Sequence, residues 1–99
     1  DLHYEGSIAI DQNLLDRANI LSGEQVQVLN VNNGSRLITY AIAAPRGSGT
    51  ILLNGPAARL GMAGDTVVII TYCQVTDEEA KKLKPIVVHM DKNNKPKKK

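Results

Sequence analysis

The chain has no tryptophan, no phenylalanine and only three tyrosines. Aromatic rings therefore cannot fill its interior, nor form the stacking platform on which single-stranded nucleic acid is held. Any core must come from Val, Ile, Leu and Ala, and β-branched runs of these residues favour strands. The single cysteine, Cys73, excludes an internal disulfide. It ends the apolar run Val67-Val68-Ile69-Ile70-Thr71-Tyr72-Cys73, where a buried structural thiol is expected rather than a nucleophile. His89 has neither a cysteine nor a second histidine at ligand spacing, and His3 reads as a surface or interface residue, so no metal site is expected. No phosphate-cradling loop and no Ser-His-Asp arrangement is visible. No apolar run is long enough to span a bilayer, and no signal peptide opens the chain, so a cytoplasmic protein without a membrane partner is expected.

What is present fits one small domain. Ninety-nine residues with 42% hydrophobic content support one modest core, which association between copies would reinforce. The formal net charge of +2 is unevenly spread. Five of the twelve basic residues are Lys92, Lys95, Lys97, Lys98 and Lys99. Residues 1–91 then carry seven basic and ten acidic side chains and are mildly acidic. The expectation is a domain over 1–91 and a solvated, disordered lysine-rich tail over 92–99. Without a basic patch beside it, the tail does not call for a nucleic-acid partner.

Pattern and punctuation divide the chain into many short strands. Ser7–Ile10 reads as a strand, after which Asp11 caps a helix over Gln12–Ala18 with Leu14, Leu15 and Ala18 inward. Glu24–Val31 alternates, with Val26 and Val28 on one face. Asn32-Asn33-Gly34 signals a hairpin, because Asn-Gly tolerates positive φ, and Ser35–Ala43 is its return strand. Pro45–Gly49 is a loop and Thr50–Leu53 a strand. Pro56–Leu60 suits one helical turn, followed by a turn over Gly61–Asp65. Thr66–Val75, the most apolar segment, reads as a central strand. Thr76 and Glu79 form a capping box for a short helix that Pro85 ends, and Ile86–Met90 is a last strand. Short strands, two or three small helices and frequent turns make a mainly β protein of small-barrel type.

Three segments carry chemistry. Tyr4-Glu5-Gly6-Ser7-Ile8-Ala9-Ile10-Asp11 sets a hydroxyl directly after a glycine, whose carbonyl no side chain shields. Alone, Gly-Ser is a common turn pair. Downstream stand Arg36-Leu37-Ile38-Thr39-Tyr40 and Leu53-Asn54-Gly55-Pro56-Ala57-Ala58-Arg59. In order and spacing these segments, with Asp1-Leu2-His3, Asn32-Asn33-Gly34 and Arg46-Gly47-Ser48, resemble the pyruvoyl-dependent aspartate alpha-decarboxylases. The resemblance runs from Asp1 to about Asp91. It implies a six-stranded double-psi β-barrel, assembled as a homotetramer with sites between subunits. It also implies a first strand ahead of Asp1, bearing a lysine and a histidine, so the barrel expected here lacks that strand. Pro56 departs from the small residue usual in the family, and proline offers no backbone N–H to a substrate.

The activity the resemblance implies is decarboxylation of L-aspartate to β-alanine and CO2, the step that feeds pantothenate synthesis. It follows self-cleavage at Gly6-Ser7. The Ser7 hydroxyl attacks the Gly6 carbonyl and turns the amide into an ester. Elimination then leaves dehydroalanine, which water converts to a pyruvoyl group with loss of ammonia. That ketone serves as the cofactor, holding the substrate amine as a Schiff base and drawing off the electrons of decarboxylation. By resemblance, Thr39 polarises the Gly6 carbonyl and Tyr40 donates a proton. Arg36 receives a carboxylate through its guanidinium fork. Asn54, Gly55, Pro56 and Ala57, with Thr39, bound the substrate. Thr39 and Tyr40 are adjacent, so on a regular strand they point to opposite faces. The alternative reading is an unprocessed or truncated barrel without catalysis.

Overall fold

The computed structural model describes residues 6–55 and 64–97. Five strands form one mixed sheet: β1 (Ser7–Asp11), β2 (Gln25–Asn30), β3 (Arg36–Ala44), β4 (Ile51–Asn54) and β5 (Val67–Ile70), in the order β4-β1-β3-β2-β5. Two helices accompany them, α1 (Gln12–Ala18) and α2 (Asp77–Lys82). The protein is mainly β, its sheet curling as part of a small barrel. Of the six strands expected, five lie among the described residues.

β1 is the centre of the arrangement. It pairs in parallel with β3, Ile8 against Ala41, and antiparallel with β4, Ser7 against Asn54. All five of its residues are buried. β2 continues the sheet antiparallel to β3, with Val26 against Thr39. The core is one cluster of Ile8, Ile10, Leu14, Leu15, Val26, Val28 and Ala41. Leu37, Ile51, Leu53, Val67 and Ile69 pack around it. The alternation of Val26 and Val28, and the inward Leu14 and Leu15, follow the sequence pattern. The Asp11 side chain accepts the Asn13 N–H at 2.8 Å, so it caps α1 as expected, and Asn19 closes that helix in the left-handed region at φ 58°.

Several expectations are corrected. The β2–β3 hairpin forms, but only Gly34 in its loop takes positive φ. The loop has four residues, closed by Asn30 N to Ser35 O at 2.8 Å and by Gly34 N to Asn30 O at 2.8 Å. Asn30 Oδ1 accepts the Asn32 and Asn33 N–H groups from inside this loop. The Thr66–Val75 run yields only the four-residue β5, and at the sheet edge rather than its centre. Apolar content marks a strand without fixing its neighbours. Beyond β5 the chain leaves the sheet, so Cys73 is exposed rather than buried. The capping box of α2 is present, with Glu79 N donating to Thr76 Oγ1 at 3.1 Å and Thr76 N to Glu79 Oε1 at 2.9 Å. The expected strand Ile86–Met90 does not form. Pro85 has no N–H to offer a ladder, Ile86 and Val87 are exposed, and only Met90 makes a bridge, to Pro96. The stretch expected as a disordered tail turns back on itself as far as Lys97, whose N–H donates to His89 O at 2.7 Å. The helical turn expected at Pro56–Leu60, and all but the last two residues of the turn expected over Gly61–Asp65, lie outside the described residues.

Candidate active site

Ser7 opens β1 directly after Gly6, which takes φ 71°, a conformation that only glycine adopts without cost. The serine is buried, at 5% exposure. Its Oγ accepts a hydrogen bond from Asn54 Nδ2 at 3.2 Å. The contact follows from pairing: Ser7 and Asn54 are direct partners across the antiparallel β1–β4 ladder, so their side chains leave the same face. The parallel β1–β3 register pairs Ile8 with Ala41. Continued back by one and two residues, it sets Ser7 level with Tyr40 and Gly6 level with Thr39.

Alternation then sorts the remaining residues by face. Thr39 lies on the core face with Ala41 and is 2% exposed. Tyr40 lies on the opposite face, with Ser7 and Asn54, and is 40% exposed. The split anticipated from their adjacency is therefore present. The fold brings Ser7, Asn54 and Tyr40 to one face and sets Thr39 behind them. Arg36 shares that outer face but stands four residues up β3, about 13 Å from the level of Ser7. Its Nη1 donates to Gln27 Oε1 at 3.4 Å at the surface. One chain thus does not bring Arg36 to the serine. Gly55 follows Asn54 at φ 64° and is exposed. Pro56 and Ala57 lie outside the described residues. No group of three or more potential metal ligands occurs among the described residues.

The Gly6–Ser7 bond lies at the very start of β1, one residue before its pairing with β3 begins. The β1 pairs with β3 begin at Ile8, and Ser7 itself is held through Asn54 on the downstream side. The sequence profile described as aspartate decarboxylase matches residues 1–97.

The chain belongs to the aspartate decarboxylase family.

Within that family, the aspartate 1-decarboxylase of Thermoanaerobacter pseudethanolicus is 58% identical over 96 residues, covering 97% of this chain and 82% of the relative. Those of Chloroherpeton thalassium and Leptospira biflexa are also 58% identical, over 98 and 99 residues. They cover 99% of this chain and, respectively, 72% and 84% of the relatives. The buried Ser7, its Asn54 partner and the positive-φ Gly6 thus sit in an aspartate decarboxylase frame.

Sequence reasoning missed Asp11 as more than a helix cap. The residue is 1% exposed. Besides the Asn13 N–H it accepts those of Gly47 at 3.0 Å and Gly49 at 2.8 Å. The glycines of Arg46-Gly47-Ser48-Gly49 marked a loop, but nothing in a linear pattern tells which acceptor gathers such a loop.

Proposed function

We propose that this chain cleaves itself between Gly6 and Ser7 and then decarboxylates L-aspartate to β-alanine and CO2. The reading rests on one juxtaposition, the Asn54 amide donating to a buried Ser7 Oγ directly after a positive-φ glycine. Serine has two acceptor lone pairs and one donor hydrogen. The Asn54 contact engages one lone pair and fixes the rotamer, while the other remains for attack on the Gly6 carbonyl. Gly6 carries no Cβ to obstruct that approach. Thr39, level with Gly6 on the next strand, is the donor that polarises the carbonyl as it becomes an oxyanion.

A pyruvoyl group made from Ser7 would supply an electrophilic ketone for the substrate amine and a sink for the electrons of the broken C–C bond. Tyr40 is the acid that returns a proton to carbon, from the face it shares with Ser7. Asn54 and the backbone from Gly55 to Ala57 orient the substrate. Arg36, too far along its own strand, receives a carboxylate at the site of a neighbouring subunit. A homotetramer with sites between subunits makes that possible. Its support is the exposed apolar side of the sheet: Ile38, Tyr40, Leu52 and Val68 lie on the face of Ser7. No helix among the described residues is long and apolar enough to cross a membrane, and we assign the enzyme to the cytoplasm.

Release of labelled CO2 from L-aspartate labelled at the carboxyl next to the amine tests the reaction. The protein should release the label after a maturation lag and Ser7→Ala should release none. Release by both variants alike would overturn the reading.

A further inference from the structure

β3 and β4 flank β1 on either side, and the segment joining them, residues 45–50, passes over the end of β1 at Asp11. Asp11 lies beneath this arch. Its backbone N–H donates to Thr50 O at 2.9 Å, Oδ1 accepts from Gly47 N at 3.0 Å, and Oδ2 accepts from Gly49 N at 2.8 Å. The arch is gripped from outside as well. Lys95 Nζ donates to Gly47 O, Asn94 Nδ2 donates to Gly49 O at 3.0 Å, and Arg46 reaches Asp16 at 2.6 Å on α1. One buried carboxylate therefore gathers the connection between the two strands that set Asn54 and Tyr40 around Ser7.

We propose that Asp11 is a positioning residue for Ser7, acting through the arch to hold β3 and β4 in register against β1. The inference rests on the assignment of Ser7 as the self-processing residue. A strand register can shift only by whole residues, and a one-residue slip sends every side chain to the other face. A slip of β4 would put Leu53 or Gly55 opposite Ser7 and remove the Asn54 donor. Asparagine at position 11 has nearly the shape of aspartate, but its amide nitrogen donates where Oδ1 or Oδ2 accepts, and so meets an arch N–H head-on.

The test compares self-cleavage rates, by intact mass, of wild type, Asp11→Asn and Val28→Ala. Val28 lies in the core on β2, away from the arch, and urea equalises the residual stability of the two variants. Asp11→Asn should cleave about a hundredfold more slowly, the scale set by a misplaced reacting group, whereas Val28→Ala should keep the wild-type rate. Equal rates for the two variants would overturn the proposal. A second perturbation leaves Asp11 in place: in Gly49→Ala, at φ 70°, the new Cβ would meet Asn93 O at 3.0 Å, and the same slowing is expected. If wild type itself does not cleave, the function assigned above fails, and hydrogen exchange still reads the arch. Asp11→Asn should then lose protection at Gly47 and Gly49 and along β4. Loss confined to residues 46–49 would contradict the proposal.

Discussion

Ser7 is an ordinary residue whose setting favours the self-cleavage proposed for it. Its hydroxyl is buried, held by one amide and preceded by the only residue type that takes φ 71° freely. Ser7→Ala should fold, stay uncut and show no turnover, which intact mass and CO2 release together measure. Tyr40→Phe should mature normally yet turn over roughly a hundredfold or more slowly, because it removes a proton donor and leaves the ring. Slow maturation in Tyr40→Phe would place that hydroxyl in processing instead. Gly6-Ser7 and Asn54 were each visible in the sequence, but their contact was not. It depends on an antiparallel pairing between residues 47 positions apart, and no local pattern encodes such a pairing.

At the scale of elements, packing separates the two helices. α1 sets Leu14 and Leu15 into the core, whereas α2 buries nothing. Leu15→Ala should destabilise the protein by about 2–5 kcal/mol, measured by urea unfolding. Thr76→Ala should cost the α2 helix about 1 kcal/mol, visible as faster exchange in α2 with no change in the urea midpoint. Asp11 gives β1 and its arch an acid limit. The Gly49 N–H above all, with those of Gly47 and Asn13 and the charge of Lys95, holds its carboxyl below the ordinary value of 3.8, against the opposing effect of burial. A group whose folded pKa is depressed contributes stability that is whole above the unfolded value and is lost as pH falls through the folded one. Between pH 5 and pH 2 the urea midpoint of wild type should therefore fall more steeply than that of Asp11→Asn. Parallel curves would remove Asp11 from the account. Helix caps were legible because a cap is local: Asp11, and Thr76 with Glu79, lie within three residues of the N–H groups they serve. β5 and the missing last strand were misjudged because pairing, not composition, decides whether an apolar run joins a sheet.

Across the described residues the molecule is a sheet with a filled inner side and an outer side still partly apolar around Ser7. The proposed assembly would cover Ile38, Leu52 and Val68 with further copies of the chain and bury that surface. On the proposed assembly, Ile38→Glu, a charge at a half-exposed site on that side (50%), should shift sedimentation toward the monomer and reduce turnover with it. An unchanged sedimentation coefficient would exclude this face from assembly. The mainly β class and the family were legible from turns, alternation and three spaced segments. Which face meets solvent became clear only from the register, since period-two alternation marks two faces without telling which is inside.

The most direct test of the self-processing claim is the intact mass of matured protein before and after borohydride. Two fragments are expected, the larger beginning at residue 7 with a blocked terminus and gaining two hydrogens on reduction of its ketone. A single uncut chain, unchanged by borohydride after prolonged warming, would contradict it.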